Sequence, residues 1–155
     1  MVGVVALVHV LRTGNPLLGL TKRRILYLTL VLAVGPGLIV NVILKDQWGR
    51  ARPLMIEEFG GDKEFTPAFV VAGQGRNNGS FNSGHAAGAF FLVSIGYVAG
   101  RRRRTVFLAA GTYAVIVGFV RIFQGRHFLS DVVFSFLIVY ATARVLAALL
   151  LPHDE

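Results

Sequence analysis

Three stretches of this chain, Ile25 to Leu44, Thr105 to Phe123 and Phe128 to Leu151, are apolar with few charges. Each has the length of about twenty residues that a helix needs to cross the hydrocarbon core of a bilayer. No other feature restricts the fold as much, because a backbone in hydrocarbon must satisfy its own hydrogen bonds and a spanning segment is therefore helical. A fourth stretch, Ala86 to Ala99, is shorter and reaches spanning length only with the polar Ser80 to His85 ahead of it. Of the 155 residues, 54% are hydrophobic and 15% charged, a balance unlike that of a soluble domain. The expected architecture is a single all-α domain over residues 1–155, a polytopic transmembrane helix bundle. Gly35-Pro36-Gly37 predicts a kink in the first span, and the pairs Gly84/Gly88 and Gly96/Gly100 have the spacing of closely packed helices.

Charge sets a topology. Eight of the sixteen basic residues are Arg12, Lys22, Arg23, Arg24 and Arg101 to Arg104, all flanking apolar runs. Basic residues so placed belong on the cytoplasmic side of a membrane. The loop from Lys45 to Asn82 carries five basic and five acidic residues, and it falls, with the turn from Gln124 to His127, on the opposite face. The net charge of +8 does not read as nucleic-acid binding, since no aromatic-interleaved basic surface accompanies it. Leu54 to Phe59 reads either as a short amphipathic piece resting on lipid headgroups or as a solvated connection. Met1 to Val10 is apolar but half the length of a span and has no basic start or cleavage site, so it reads as an interfacial segment or the end of a helix. The absence of cysteine removes disulfides, thiolate nucleophiles and cysteine metal sites.

The polar residues hardest to explain structurally all arrive at the non-cytoplasmic face: Lys45, Arg50 and Arg52, then Ser83 and His85, then Arg121, Arg126, His127 and Asp131. Ionisable groups at membrane helices are costly and point to function. Lys45, Arg52 and Arg121 would make a cationic pocket suited to a phosphoryl dianion, although any one of them alone would read as a snorkelling side chain. Pro53 turns the chain after Arg52 and aims it. Arg50 and Arg126 are read as snorkellers. Ser83 would cap the helix that follows, and Gly84 would let an anion approach its exposed N–H groups. His85 is then a natural acid for a leaving oxygen.

His127 and Asp131 are four apart at a helix start, so the carboxylate is expected to accept from one ring nitrogen and leave the other as a nucleophile or base. The alternative is that Asp131 merely complements the helix N-terminus. A metal centre of two histidines and an aspartate is disfavoured by the surrounding arginines, so no metal or other cofactor is expected. His9 and His153 stand apart from the cluster in sequence.

Three segments in order carry a family resemblance: KDQWGRARP from Lys45 to Pro53, Asn82-Ser83-Gly84-His85, and Val120-Arg121 through His127 to Asp131. Together they resemble the signature of the type 2 phosphatidic acid phosphatase (PAP2) superfamily, membrane relatives of vanadium haloperoxidases. The family patterns are Lys, six residues, Arg-Pro; Pro-Ser-Gly-His; and Ser-Arg, five residues, His, three residues, Asp. Asn82 stands for the usual Pro and Val120 for the usual Ser. The resemblance covers about Ile25 to Leu151 and implies a six-helix type of bundle, of which this chain would lack part of the N-terminal helical hairpin. It implies that His127 attacks phosphorus, that Asp131 orients it, and that His85 protonates the departing oxygen and later activates water. Lys45, Arg52, Ser83, Gly84 and Arg121 would hold the phosphate oxygens, with no metal.

The implied partner is a phosphorylated lipid in the membrane, with the site on the periplasmic face of a bacterial inner membrane. Phe59-Gly60-Gly61 and Ser80 to His85 look similar to bacterial lipid A phosphatases. Undecaprenyl diphosphate, phosphatidic acid and phosphatidylglycerol phosphate remain open as substrates, as does transfer of the phosphate to another lipid. The non-enzymatic alternative is a binder of anionic lipids, which would use the arginines but not a paired His127. A transporter would need polar residues along a path through the bilayer, and here they gather at one face. Oligomeric state is not legible.

Overall fold

A computed structural model describes residues 9, 12–13, 20–74 and 79–151. Most of Met1 to Val10 and all of His153 to Glu155 lie outside the described residues. The first span starts at α1 (Lys22–Leu32), capped by Thr21, whose hydroxyl accepts from the Arg24 N–H at 3.3 Å. It continues without interruption as a π-helix, Ala33–Leu44. Pro36, without an N–H, sits inside it, and the wider turn lets Asn41 Nδ2 donate to the Pro36 carbonyl at 2.7 Å. The kink expected at Gly35-Pro36-Gly37 is thus realised as a widened helix. One more turn, α2 (Lys45–Trp48), ends at Gly49, whose φ of 63° and closeness to the Ala72 carbonyl leave no room for a Cβ.

Two 3₁₀ turns follow, Pro53–Met55 and Glu57–Phe59. They stand where an amphipathic piece was expected, with Leu54, Met55 and Phe59 exposed. Next come α3 (Gly84–Phe91), running on as a 3₁₀ turn Leu92–Tyr97, then α4 (Arg103–Phe123) and α5 (Leu129–Leu150). Three helical segments, Lys22–Leu44, Gly100–Phe123 and Leu129–Leu150, are long and apolar enough to cross a membrane, and Gly84–Tyr97 is shorter. The chain is an all-α integral membrane protein.

Helix α5 is the centre of the bundle and α4 its edge: 33% of the span in α5 is buried against 11% of that in α4. Small residues build the core. Ala86, Ala87, Ala89 and Ala114 pack with Val40, Phe90, Val132 and Val139, as expected where helices gain by close approach and not by leaving water. The expected glycine pairs contribute one member each. A Cβ on Gly84 would come 2.6 Å from Asn41 Oδ1 and one on Gly96 2.8 Å from the Phe107 ring, whereas Gly88 and Gly100 face open space.

The segment from Lys45 to Asn82 is fastened over the end of the bundle where α4 turns into α5. Trp48 stacks on Phe81 at 5.0 Å, and Phe81 and Phe69 both pack on Phe134 of α5. The Leu54 N–H donates to the Gly125 carbonyl at 3.0 Å.

Candidate active site

Ser83 caps α3 as its sequence position predicts: its Oγ accepts from the Ala86 N–H at 3.3 Å. The cap is stapled to α5 by Ser135, whose hydroxyl donates to the carbonyls of Asp131 at 2.7 Å and Ser83 at 3.1 Å. Ser83 is fully buried, Gly84 half-buried and His85 exposed, so the triplet rises from the core to the surface within one turn. Gly125, with φ 61°, reverses the chain after α4. That reversal brings His127, 2% exposed, against the polar stretch ahead of α3.

His127 Nδ1 lies 2.7 Å from the carbonyl oxygen of Ser80. A carbonyl only accepts, so Nδ1 carries a proton, and in the neutral imidazole the lone pair is on Nε2. The expected tautomer is therefore present, but its cause differs. Asp131 Oδ2 is 3.8 Å from His127 Nδ1, too far for a hydrogen bond. Its carboxylate is engaged elsewhere: Oδ1 binds Arg50 at 2.7 Å and Oδ2 accepts from the Phe128 N–H at 2.8 Å, closing the N-terminus of α5.

Arg50 is the second correction. Read from sequence as a snorkelling side chain, it is 3% exposed. Its Nε donates to the Thr66 carbonyl at 2.7 Å, and one terminal nitrogen donates to both Asp131 and the Ser130 hydroxyl, the latter at 3.0 Å. The guanidinium lies 4.0 Å from the Phe128 ring centre. The backbone of the same residue holds the histidine's partner, since the Ser80 N–H donates to the Arg50 carbonyl at 2.8 Å. Arg50, Ser80, Ser135 and Asn41 are the residues that sequence reasoning missed. Only the double arginine of Gly-Arg-Ala-Arg-Pro offered a signal, because Arg50 is one of two arginines that differ only in where the chain buries them.

Lys45, Arg52 and Arg121 are half-buried. They converge on His85: partial loss of water, although the side chain stays exposed, and then the charges of Arg121, His127, Lys45 and Arg52 hold its imidazole below the ordinary histidine range. Burial, with Arg126 and Arg121 nearby, also lowers the Arg52 guanidinium. Arg126, read as a snorkeller, is thus near this cation cluster. Arg121 donates to Gln124 Oε1 at 2.8 Å, while its buried Nε has no hydrogen-bond partner among the described residues. The Ser80 hydroxyl and both polar atoms of Asn82 are buried and unpartnered in the same sense. Such a set, a lone-pair imidazole nitrogen beside clustered cations with an unused N–H, is suited to a phosphoryl group. Among the described residues no three histidine or carboxylate side chains come together as metal ligands.

Residues 25–153 match the PAP2 superfamily. A lipid A 4'-phosphatase of Francisella tularensis subsp. novicida is 42% identical over 136 residues, 86% of this chain and 61% of that protein. One from Rhizobium leguminosarum is 39% identical over 120 residues, 77% of this chain and 50% of its own. A phosphatidylglycerophosphatase B of Bacillus subtilis is 29% identical over 117 residues, 70% of this chain and 50% of its own. The chain spans about half the length of the curated relatives it matches. No solved structure gives a significant match. The chain belongs to the PAP2 superfamily.

Proposed function

We propose that this PAP2-superfamily chain is the core of a lipid phosphatase, which removes phosphate from a lipid headgroup through a phosphohistidine at His127. The observation that carries the reading is the 2.7 Å bond from His127 Nδ1 to the Ser80 carbonyl, because it leaves Nε2 as the attacking atom. Nε2 forms a bond to phosphorus as the bond from phosphorus to the lipid oxygen breaks, and His85 gives that oxygen a proton. A water then attacks phosphorus and yields its proton to His85, the N–P bond breaks, and inorganic phosphate leaves. Lys45, Arg52 and Arg121 neutralise the phosphate oxygens. The Gly84 N–H at the helix start and the Ser83 hydroxyl, which keeps its own proton to donate, add hydrogen bonds. No step calls for a metal.

Two relatives named lipid A 4'-phosphatases, 42% and 39% identical, favour a lipid A-type phosphomonoester as substrate. The relative named phosphatidylglycerophosphatase B makes phosphatidylglycerol phosphate the second candidate. Lys22 to Arg24 and Arg101 to Arg104 lie at the helix ends away from His127, which by the positive-inside rule supports a site on the periplasmic side of a bacterial inner membrane.

The test is phosphate release, with EDTA present, from lipid A, undecaprenyl diphosphate, phosphatidic acid and phosphatidylglycerol phosphate, comparing wild type with His127→Asn. Release by the wild type alone is expected. Equal release by both would remove His127 as nucleophile. Lipid binding that depends on Arg52 and Arg121 with no release from any lipid would make the protein an anionic-lipid binder. A newly phosphorylated second lipid would make it a transferase.

A further inference from the structure

His127 opens on a cleft of about 590 Å³ whose walls include Pro53, Leu54, Phe59 and Phe128. That cleft shares Ile122 and Leu129 with a second one, of about 450 Å³, which runs down the side of the bundle between α3, α4 and α5. The walls of the second cleft are apolar, with a hydroxyl only at its far end, on Tyr140. From Leu129 to Tyr140, α5 descends about 16 Å at 1.5 Å per residue, about half the thickness of a hydrocarbon core. Val115, Phe119, Val133 and Phe136 line it and are between 36% and 52% exposed, so among the described residues the cleft is open sideways to the bilayer. Gly111 sits in its wall facing open space.

The geometry points to this second cleft as the seat of one acyl chain of a lipid phosphate whose headgroup lies at His127. Three features select that occupant. The cleft adjoins the one at His127 along Ile122 and Leu129, it has the depth of a single leaflet, and its walls along that depth offer no polar group to a peptide backbone. A chain lying there would lead a lipid in from the bilayer and fix its phosphate near Nε2, so that remote apolar contacts position the reacting group. The catalytic part of this inference rests on the reading of His127 given above, and the binding part does not.

Two measurements test it, and Gly111→Leu is the common variant. Leucine is the better helix former, and its side chain would fill the middle of the groove. The first measurement is photolabelling with phosphatidate that carries a diazirine at the end of one acyl chain. Label is expected at Val133, Phe136 or Tyr140 in the wild type and lost in Gly111→Leu. Label equally strong on Leu137, an exposed residue of the same helix outside the cleft, and indifferent to the variant would overturn the proposal. A disulfide-linked dimer formed in bilayers by Val133→Cys, in a chain that has no cysteine of its own, would do so as well, by giving the groove to a second copy.

The second measurement is the ratio of kcat/KM for dioleoyl to that for dihexanoyl phosphatidate. Gly111→Leu should lower that ratio at least tenfold, and Ala109→Leu, exposed and outside the cleft, should leave it unchanged. An unchanged ratio in Gly111→Leu overturns the acyl site. Absence of release from either ester in the wild type would remove phosphatidate as a substrate and leave the phosphatase reading to the other lipids, and the photolabelling still decides the groove.

Discussion

Arg50 and Asp131, eighty-one positions apart, meet at 2.7 Å with 3% and 0% of their side chains exposed. The carboxylate that sequence spacing assigns to the nucleophile is thus held by a buried arginine, and His127 takes its orientation from a neutral carbonyl. Removing one member of such a pair leaves a buried charge without a partner, at a cost of about 3–5 kcal/mol. Arg50→Gln and Asp131→Asn should each lower the unfolding temperature in detergent sharply, and the double variant should recover most of the loss. Phosphate release should follow stability, with the double variant more active than either single one. A double variant that is stable yet as inactive as Asp131→Asn would restore Asp131 as the direct orienter of His127.

The spans were legible because length and apolarity are local properties: Ile25 to Leu44 lies within Lys22–Leu44, and Phe128 to Leu151 exceeds α5 by one residue at each end. The convergence of Lys45, Arg52, His85 and Arg121 was legible because alternating spans return the chain to one face. The partners of Asp131 were not. Spacing shows that His127 can reach it, but which of two arginines in Gly-Arg-Ala-Arg-Pro is buried depends on Thr66, Phe128 and Ser130, contacts made 16 to 80 residues away. The Ser80 carbonyl was invisible for a related reason, since a backbone acceptor has no residue type to recognise.

His85 lies outside the three spans, and partial loss of water with the surrounding cations disfavours its charged form. Its folded value is depressed, so the imidazole should titrate below the ordinary histidine value of about 6.5 and be neutral at pH 7 in the empty protein. The sign for an acid role is then set by the substrate. A phosphate dianion offsets the cations and raises the value, so inorganic phosphate should move the histidine titration upward. Arg121→Gln should move it in the same direction without any ligand. NMR of ring-labelled histidine, assigned by His85→Gln, follows both. A titration at or above 6.5 in the ligand-free protein would contradict the cationic environment.

Gly125 carries φ 61° at the turn that delivers His127, and a Cβ there would come 3.2 Å from Leu54 Cβ. The left-handed conformation costs an L-residue about 1–2 kcal/mol, and asparagine tolerates it best. Gly125→Ala should therefore lower stability by about that amount and reduce kcat more than it raises KM, since it shifts His127, the proposed attacking group. Gly125→Asn should be milder in both. Equal kinetics for the two variants and the wild type would show that the turn does not control the position of His127.

Gly84 joins the two helices that bring Lys45 and His85 together. A Cβ at this position would stand 2.6 Å from Asn41 Oδ1. That carboxamide cannot swing aside freely, because its Nδ2 holds the Pro36 carbonyl at 2.7 Å inside the π-helix. Gly84→Ala must then either break that bond, leaving the Asn41 carboxamide N–H without its partner within the bundle, or push α3 away from the first span. Either route costs about 1–3 kcal/mol. The second also separates His85 from Lys45 and should cut phosphate release at least tenfold. The two routes are distinguished by Asn41→Ala in the Gly84→Ala background. If the helices have been pushed apart, trimming the carboxamide lets them close again and activity returns in part, although stability does not. If the bond has broken instead, the second change alters neither, and Gly84 then matters only for the approach of the phosphate to the α3 backbone.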